Sequence, residues 1–236
     1  MVAHRFSVAK ARDYRRRPAD RSNRPAAEPG PACDPVAMAN PFARARYVLS
    51  AHNYRQLPPD QGSEVAFAGR SNAGKSSALN ALAQQNALAR VSKTPGRTQQ
   101  LVFFEVQPHR HLVDLPGYGY AKVPKDLQSH WQQFLDGYFS TRDALQGLVV
   151  IMDIRHPLKD YDRQMLGYAA NRGIPAHAVL TKADKLSRGA TANTLQAVRM
   201  ELSRVFGDTV SVQAFSAESK QGVDELRAVV ARWMGV

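Results

Sequence analysis

The sequence predicts an α/β domain built on a mostly parallel sheet with helices on both faces. From Glu64 onward, short apolar runs alternate with amphipathic segments of helical period. That pattern belongs to strand–helix–strand units rather than to a string of hairpins. A glycine-rich loop ending in Lys-Ser separates the first apolar run from the first helical segment, the setting in which such loops hold phosphate. Further polar motifs fall at the carboxyl ends of later runs, where open α/β sheets bind ligands.

The elements follow in order. Residues 1–40 are rich in Arg, Ala and Pro and show no helical or strand period. Pro18, Pro25, Pro29, Pro31 and Pro35 interrupt any continuous element, so a disordered basic tail is expected there. Met38 closes this stretch just ahead of domain-like sequence, and translation of the native protein is expected to start there. The folded domain is expected over 41–236. Six strands are read at 65–68, 100–106, 111–115, 148–154, 176–181 and 210–215. Helices are read at 75–83, 125–139, 161–171, 192–206 and 223–233. The run Leu148-Val149-Val150-Ile151-Met152 is unbroken, as in a strand buried on both faces. Trp131, Phe134 and Tyr138 recur at helical spacing and read as a core stripe. His109 and His111 flank Arg110 between two strand-like runs and mark a hairpin tip.

Composition excludes several classes. The chain has 236 residues, 44% of them hydrophobic, enough for a real core. No apolar run approaches the length of a membrane helix, so no membrane partner is expected. The arginine-rich start contains Asp13, Asp20 and Glu28, which argues against a mitochondrial presequence. Cys33 is the single cysteine; it permits no internal disulfide and fits a reducing cytoplasm. The net charge is +12, and residues 41–236 carry most of the excess. A basic folded part favours a polyanionic partner.

The strongest motif is Gly69-Arg70-Ser71-Asn72-Ala73-Gly74-Lys75-Ser76, which matches G-x-x-x-x-G-K-[ST] between a strand and a helix. Its backbone N–H groups and the helix start should face phosphates. Lys75 should reach the β- and γ-phosphates, and the Ser76 hydroxyl should bind Mg²⁺. Asp114-Leu115-Pro116-Gly117 ends a strand; Asp114 can hold Mg²⁺ through water, and the Gly117 N–H can bond the γ-phosphate. Lys93-Thr94-Pro95-Gly96-Arg97-Thr98 precedes the second strand, and Thr98 is the natural second hydroxyl ligand for Mg²⁺. Thr181-Lys182-Ala183-Asp184 ends another strand. A carboxylate at Asp184 can accept from guanine N1–H and the 2-amino group, donors that adenine lacks there. The Lys182 stem can lie along the base, and the Ala217 N–H of Phe215-Ser216-Ala217 can meet the guanine carbonyl. Together the motifs read as GTP or GDP bound with Mg²⁺.

These residues resemble the EngB (YsxC or YihA) family of bacterial ribosome-assembly GTPases, in the translation-factor-related class. The resemblance covers about residues 40–236 and is carried by Gly69–Ser77, Thr94–Gln99 and Asp114–Ala121. The stretch Asp153-Ile154-Arg155-His156-Pro157 and the Thr181–Asp184 motif also look like that family. The resemblance implies a Ras-like fold with six strands and GTP hydrolysis served by Lys75, Thr98 and Gly117. It also implies nucleotide contacts from Gly96, Arg97, Thr98, Gln99 and Gln100. Its cellular implication is a role in large-ribosomal-subunit maturation and in normal cell division and septation, for a monomer acting on rRNA and ribosomal proteins.

Two departures from the general GTPase pattern matter. Thr181 stands where many GTPases carry Asn, which implies a looser tie between this loop and the phosphate loop. Tyr118 follows Gly117 where Ras-like enzymes carry a water-orienting glutamine, which implies slow hydrolysis. Asn72 occupies a place where related GTPases hold K⁺. Arg90, Lys93, Arg97, Lys122 and Lys125 lie in or near the two switch loops and form the expected rRNA footprint. Three rival readings are a non-catalytic GTP sensor, a basic RNA binder whose loop grips RNA phosphate, and an ATPase. Asp114 and Asp184 argue against the second, and Asp184 against the third.

Overall fold

The computed structural model describes residues 40–89, 100–118 and 125–236, giving only the backbone for 125–132. Strands β1 (Arg46–Ala51), β2 (Ser63–Gly69), β3 (Leu101–Gln107), β4 (Arg110–Asp114), β5 (Leu145–Asp153), β6 (Ala176–Thr181) and β7 (Val210–Ala214) form one sheet. Their spatial order is β1-β3-β4-β2-β5-β6-β7. The pairings of β1 with β3 and of β3 with β4 are antiparallel; every other pairing is parallel. The helices are α1 (Lys75–Ala83), α2 (Lys125–Thr141), α3 (Asp160–Arg172), α4 (Arg188–Phe206) and α5 (Val223–Met234).

Strand alternation sorts side chains into two cores. On β2, Ala66 and Ala68 face one side while Val65 and Phe67 face the other. On β5, Leu148, Val150 and Met152 face the first side, and Val149 and Ile151 the second. That double burial is why this strand reads as an unbroken apolar run. The first core takes Phe134 and Tyr138 from α2, Met165 and Leu166 from α3, and Val198 and Leu202 from α4. The second takes Leu79 and Leu82 from α1 and Leu226, Val230 and Met234 from α5. The expected stripe on α2 is therefore a core stripe at Phe134 and Tyr138; the Trp131 side chain lies outside the described residues.

The sheet has seven strands, not six. The additional strand, β1, runs along the outer edge with Arg46, Tyr47 and Val48 exposed and a bulge between Tyr47 and Leu49. An edge strand with an interrupted register shows no clean alternation, so its sequence carries little strand signal. Helix α4 also begins earlier than expected, at Arg188, where the Ser187 hydroxyl accepts from the Ala190 N–H at 3.3 Å. Gly189 in its first turn weakens the helical pattern there. The β3–β4 hairpin turns at His109, which adopts φ 61°.

One buried ion cluster sits at the start of β2, away from the glycine loop. Glu64 is fully buried and accepts from Arg142 Nη2 at 2.5 Å, from Arg142 Nε at 3.1 Å and from the Tyr138 hydroxyl at 2.9 Å. Arg142 also donates to the Pro58 carbonyl at 2.9 Å. Each buried charge is thereby matched.

Candidate functional site

The carboxyl ends of β2, β4, β5, β6 and β7 lie side by side, and each delivers a polar segment to one end of the sheet. From β2 the chain enters the glycine loop. Asn72 takes φ 63° and Gly74 φ 98°, so the loop reverses twice before α1 starts at Lys75. The positive φ is what calls for glycine at position 74, which lies beside the Thr181 side chain of β6. The first turn of α1 directs its N–H groups and positive dipole end toward the same mouth.

Lys75 and Asp114 form a close ion pair, with both side chains largely buried. The loop's lysine and the carboxylate at the end of β4 thus meet across the neighbouring β2–β4 pair. Ser76 follows in the first turn of α1 and is half-buried. Beyond Asp114, Leu115 and Pro116 lead to Gly117, where a Cβ would lie 3.3 Å from the backbone N and Cα of Ser71. Tyr118 completes the junction: its N–H donates to the Gly69 carbonyl at 3.4 Å, and its carbonyl accepts from the Ser71 N–H at 3.1 Å.

The Tyr118 side chain packs against the first core. Its hydroxyl donates to Asp162 Oδ1 at 2.9 Å, and its ring lies 5.7 Å from that of Tyr161. Asp162 Oδ2 accepts from the Lys159 N–H at 2.9 Å, so one carboxylate caps α3 and holds the tyrosine. Burial, then the Asp162 charge, raises the Tyr118 phenol well above its ordinary range. Burial likewise raises the Asp162 carboxyl.

At the end of β6, the Thr181 hydroxyl lies within hydrogen-bond reach of the Ala73 carbonyl at 2.5 Å and of the Met152 carbonyl at 2.9 Å. The tie expected to be loosened by threonine is therefore made, directly to the glycine loop. Lys182 adopts φ 61° and sends Nζ to the Asn72 carbonyl at 2.7 Å and to Asp153 Oδ2 at 2.9 Å. Asp153 also takes both Arg155 Nε at 2.9 Å and Nη2 at 2.6 Å. Arg155, and with it Lys182, holds the Asp153 carboxyl far below the ordinary carboxylate range.

The loop after β7 closes the other side. Ser216 is fully buried; its hydroxyl donates to Asp184 Oδ1 at 2.6 Å and accepts from the Ser219 N–H at 3.1 Å. The Ala183 N–H donates to the Phe215 carbonyl at 3.1 Å, which sets the two base-side loops edge to edge. Lys185 pairs with Asp184 Oδ2 at 2.8 Å, and Lys185 and Ser216 together lower the Asp184 carboxyl. Ala217 follows, half-buried.

The structure thus brings together Gly69–Ser76, Asp114–Gly117, Thr181–Asp184 and Phe215–Ala217. Gln100 is placed elsewhere: its side chain bonds His52 at the end of β1. Gly96, Arg97, Thr98 and Gln99 lie outside the described residues, as do Arg90, Lys93 and Lys122, while Lys125 is described only in its backbone. Sequence reasoning left Asp153 and Asp162 without a role. For Asp153 the signal was present, since it ends an apolar strand just as Asp114 does.

The site fits Mg²⁺ by donor chemistry. The Ser76 hydroxyl at the helix start and the Asp114 carboxylate are hard oxygen donors, with Lys75 beside them to meet the accompanying phosphates.

The chain is similar to known GTP-binding proteins. A family described as 50S ribosome-binding GTPases matches residues 64–182. The probable GTP-binding protein EngB of Xanthomonas euvesicatoria pv. vesicatoria (strain 85-10) is 75% identical over 193 residues, covering 82% of this chain and 93% of that protein. The same-named protein of Stenotrophomonas maltophilia (strain K279a) is 75% identical over 193 residues, covering 82% of this chain and 96% of its own. A crystal structure of a probable GTP-binding protein engB shares the fold with a TM-score of 0.59 at 19% identity, covering 73% of this chain and 99% of that one.

Proposed function

The chain belongs to the EngB family of GTP-binding proteins and is a GTPase, and from that premise we propose a slow, Mg²⁺-dependent switch that assists large-ribosomal-subunit assembly. Its setting is the cytoplasm, and its cellular consequence is normal cell division and septation. The observation that carries the switch reading is the junction at Tyr118 and Gly117. The segment that follows Asp114 lies against the glycine-loop backbone at Gly69 and Ser71, so a phosphate held by that loop bears directly on its position. The description of the matched family as ribosome-binding and the net charge of +12 support a ribosomal RNA partner.

Each residue then has a task. The Gly69–Ser76 loop and α1 start bind the phosphates, and Lys75 stabilises charge that spreads over the γ-phosphate oxygens. Ser76 and Thr98 would hold Mg²⁺, with Asp114 behind it; the ion supplies further charge neutralisation when bound. The Gly117 N–H would meet the γ-phosphate, and Asp184 with Ala217 would read guanine. Tyr118 is committed to Asp162 and does not orient water, which supports slow turnover in the free protein. K⁺ beside Asn72 and an ordering partner would supply the missing stabilisation.

Co-sedimentation with large ribosomal subunits tests the reading. Binding with a non-hydrolysable GTP analogue should exceed binding with GDP, and phosphate release should rise with subunits and with K⁺ over Na⁺. Nucleotide-independent sedimentation, or fast turnover by free protein in Na⁺, would refute it.

A further inference from the structure

We infer that Asp153 is a positioning residue for guanine-nucleotide binding, acting through Lys182. The inference rests on the reading of Lys182 as the floor beneath the base, and it assigns the part of the site that holds that floor in place.

Lys182 occupies an unusual position. Its backbone takes φ 61°, a conformation that side chains other than Gly, Asn and Asp rarely adopt. A lysine ammonium on a four-carbon stem has many rotamers, and confining it to one costs substantial entropy. Two contacts confine it here: the Asn72 carbonyl at 2.7 Å and Asp153 Oδ2 at 2.9 Å. The carbonyl is neutral, whereas Asp153 is a carboxylate with only 17% of its side chain exposed. The charged contact is the stronger of the two.

Asp153 is itself fixed from three sides. Oδ1 accepts from its neighbour's backbone, the Arg155 N–H, at 3.1 Å, and the Arg155 guanidinium adds two further bonds. The backbone of the next residue, Ile154, donates to the Thr181 carbonyl at 3.0 Å. The carboxylate therefore stands at a set distance from Lys182 before any ligand arrives. Through it, the end of β5 aligns the glycine loop at Asn72 with the base-side loop at Lys182. Removing the charge should free the ammonium, loosen the Asn72 carbonyl and let the stem leave its place beneath the base. Base choice should not change, because it belongs to Asp184, which meets the edge of the ring rather than its face.

Stopped-flow release of a fluorescent GDP analogue from Asp153→Asn, Lys182→Met and the double variant tests this. Asparagine keeps an oxygen for the Arg155 N–H, and methionine keeps the apolar stem. Each single variant should release GDP about tenfold faster, the scale of one lost charge-assisted bond. The double variant should be no faster than the faster single, and the GDP-to-XDP preference should match wild type. A merely structural role would instead speed release again in the Lys182→Met background, giving multiplied effects. Multiplied effects, a change under twofold for Asp153→Asn, or an altered base preference would each overturn the inference. Asp153→Ser runs the same cycle where the asparagine variant does not fold. GDP binding by wild type, measured in the same series, separates failure of this inference from failure of the nucleotide-site reading.

Discussion

Asp184→Asn is the most direct probe of base recognition. In the structure the two carboxylate oxygens are already directed: Oδ1 accepts from the Ser216 hydroxyl at 2.6 Å and Oδ2 pairs with Lys185 at 2.8 Å. Ser216 is fully buried and also receives the Ser219 N–H, so it orients the carboxylate rather than following it. Guanine offers two donors, N1–H and the 2-amino group, to that carboxylate. The amide keeps one oxygen, which the Ser216 hydroxyl already claims, and turns an NH₂ toward a guanine donor. One charge-assisted bond, about 1.5–3 kcal/mol, is lost and a donor faces a donor. GDP affinity should fall by roughly two orders of magnitude, at about 1.4 kcal/mol per decade. Xanthine carries an oxygen in place of the 2-amino group and accepts from the new amide, so XDP should bind more tightly than GDP. Competition against a fluorescent nucleotide by GDP and XDP measures the ratio. A ratio equal to that of wild type would refute the assignment of this loop to the base.

Arg142→Met should leave Glu64 buried with Tyr138 as its remaining side-chain partner, costing about 3–5 kcal/mol of stability; urea unfolding that moves by under 1 kcal/mol would contradict it. Ser76→Ala should weaken Mg²⁺-dependent GTP binding, whereas Thr98→Ala should spare GDP more than GTP, and equal losses for both nucleotides would break that division. Asp162 has a carboxyl raised by burial, so the folded state holds its proton to higher pH than the unfolded chain. Its contribution should therefore decline as pH rises from 3.8 through the raised value. Asp162→Asn should remove that part of the pH profile in thermal melts, and an unchanged profile would place its origin elsewhere.

The legible parts of the protein share a physical cause. Strands β2, β5 and β6 are buried on both faces along their middles, so the runs 65–68, 148–152 and 178–180 are apolar and stand out against helical neighbours. The phosphate loop is legible because its chemistry is local: glycine backbone freedom, a lysine and a hydroxyl within eight consecutive residues. Edge strand β1 was not, because exposure and a bulge remove the constraint that writes alternation into a strand.

Pairings between distant residues belong to the tertiary structure alone. That Thr181 reaches the Ala73 carbonyl, 108 residues earlier in the chain, depends on the spatial order β2-β5-β6 and on backbone angles at Gly74 that bring the loop close. That Tyr118 turns to Asp162, and Lys182 to Asp153, follows from which strand ends and helix starts become neighbours. The sequence by itself determined which residues can bind phosphate, metal and base, because those abilities reside in side-chain chemistry and local backbone. Only the fold decided which of them hold one another in place, because a hydrogen bond is set by distance and angle in space, to which sequence separation is blind.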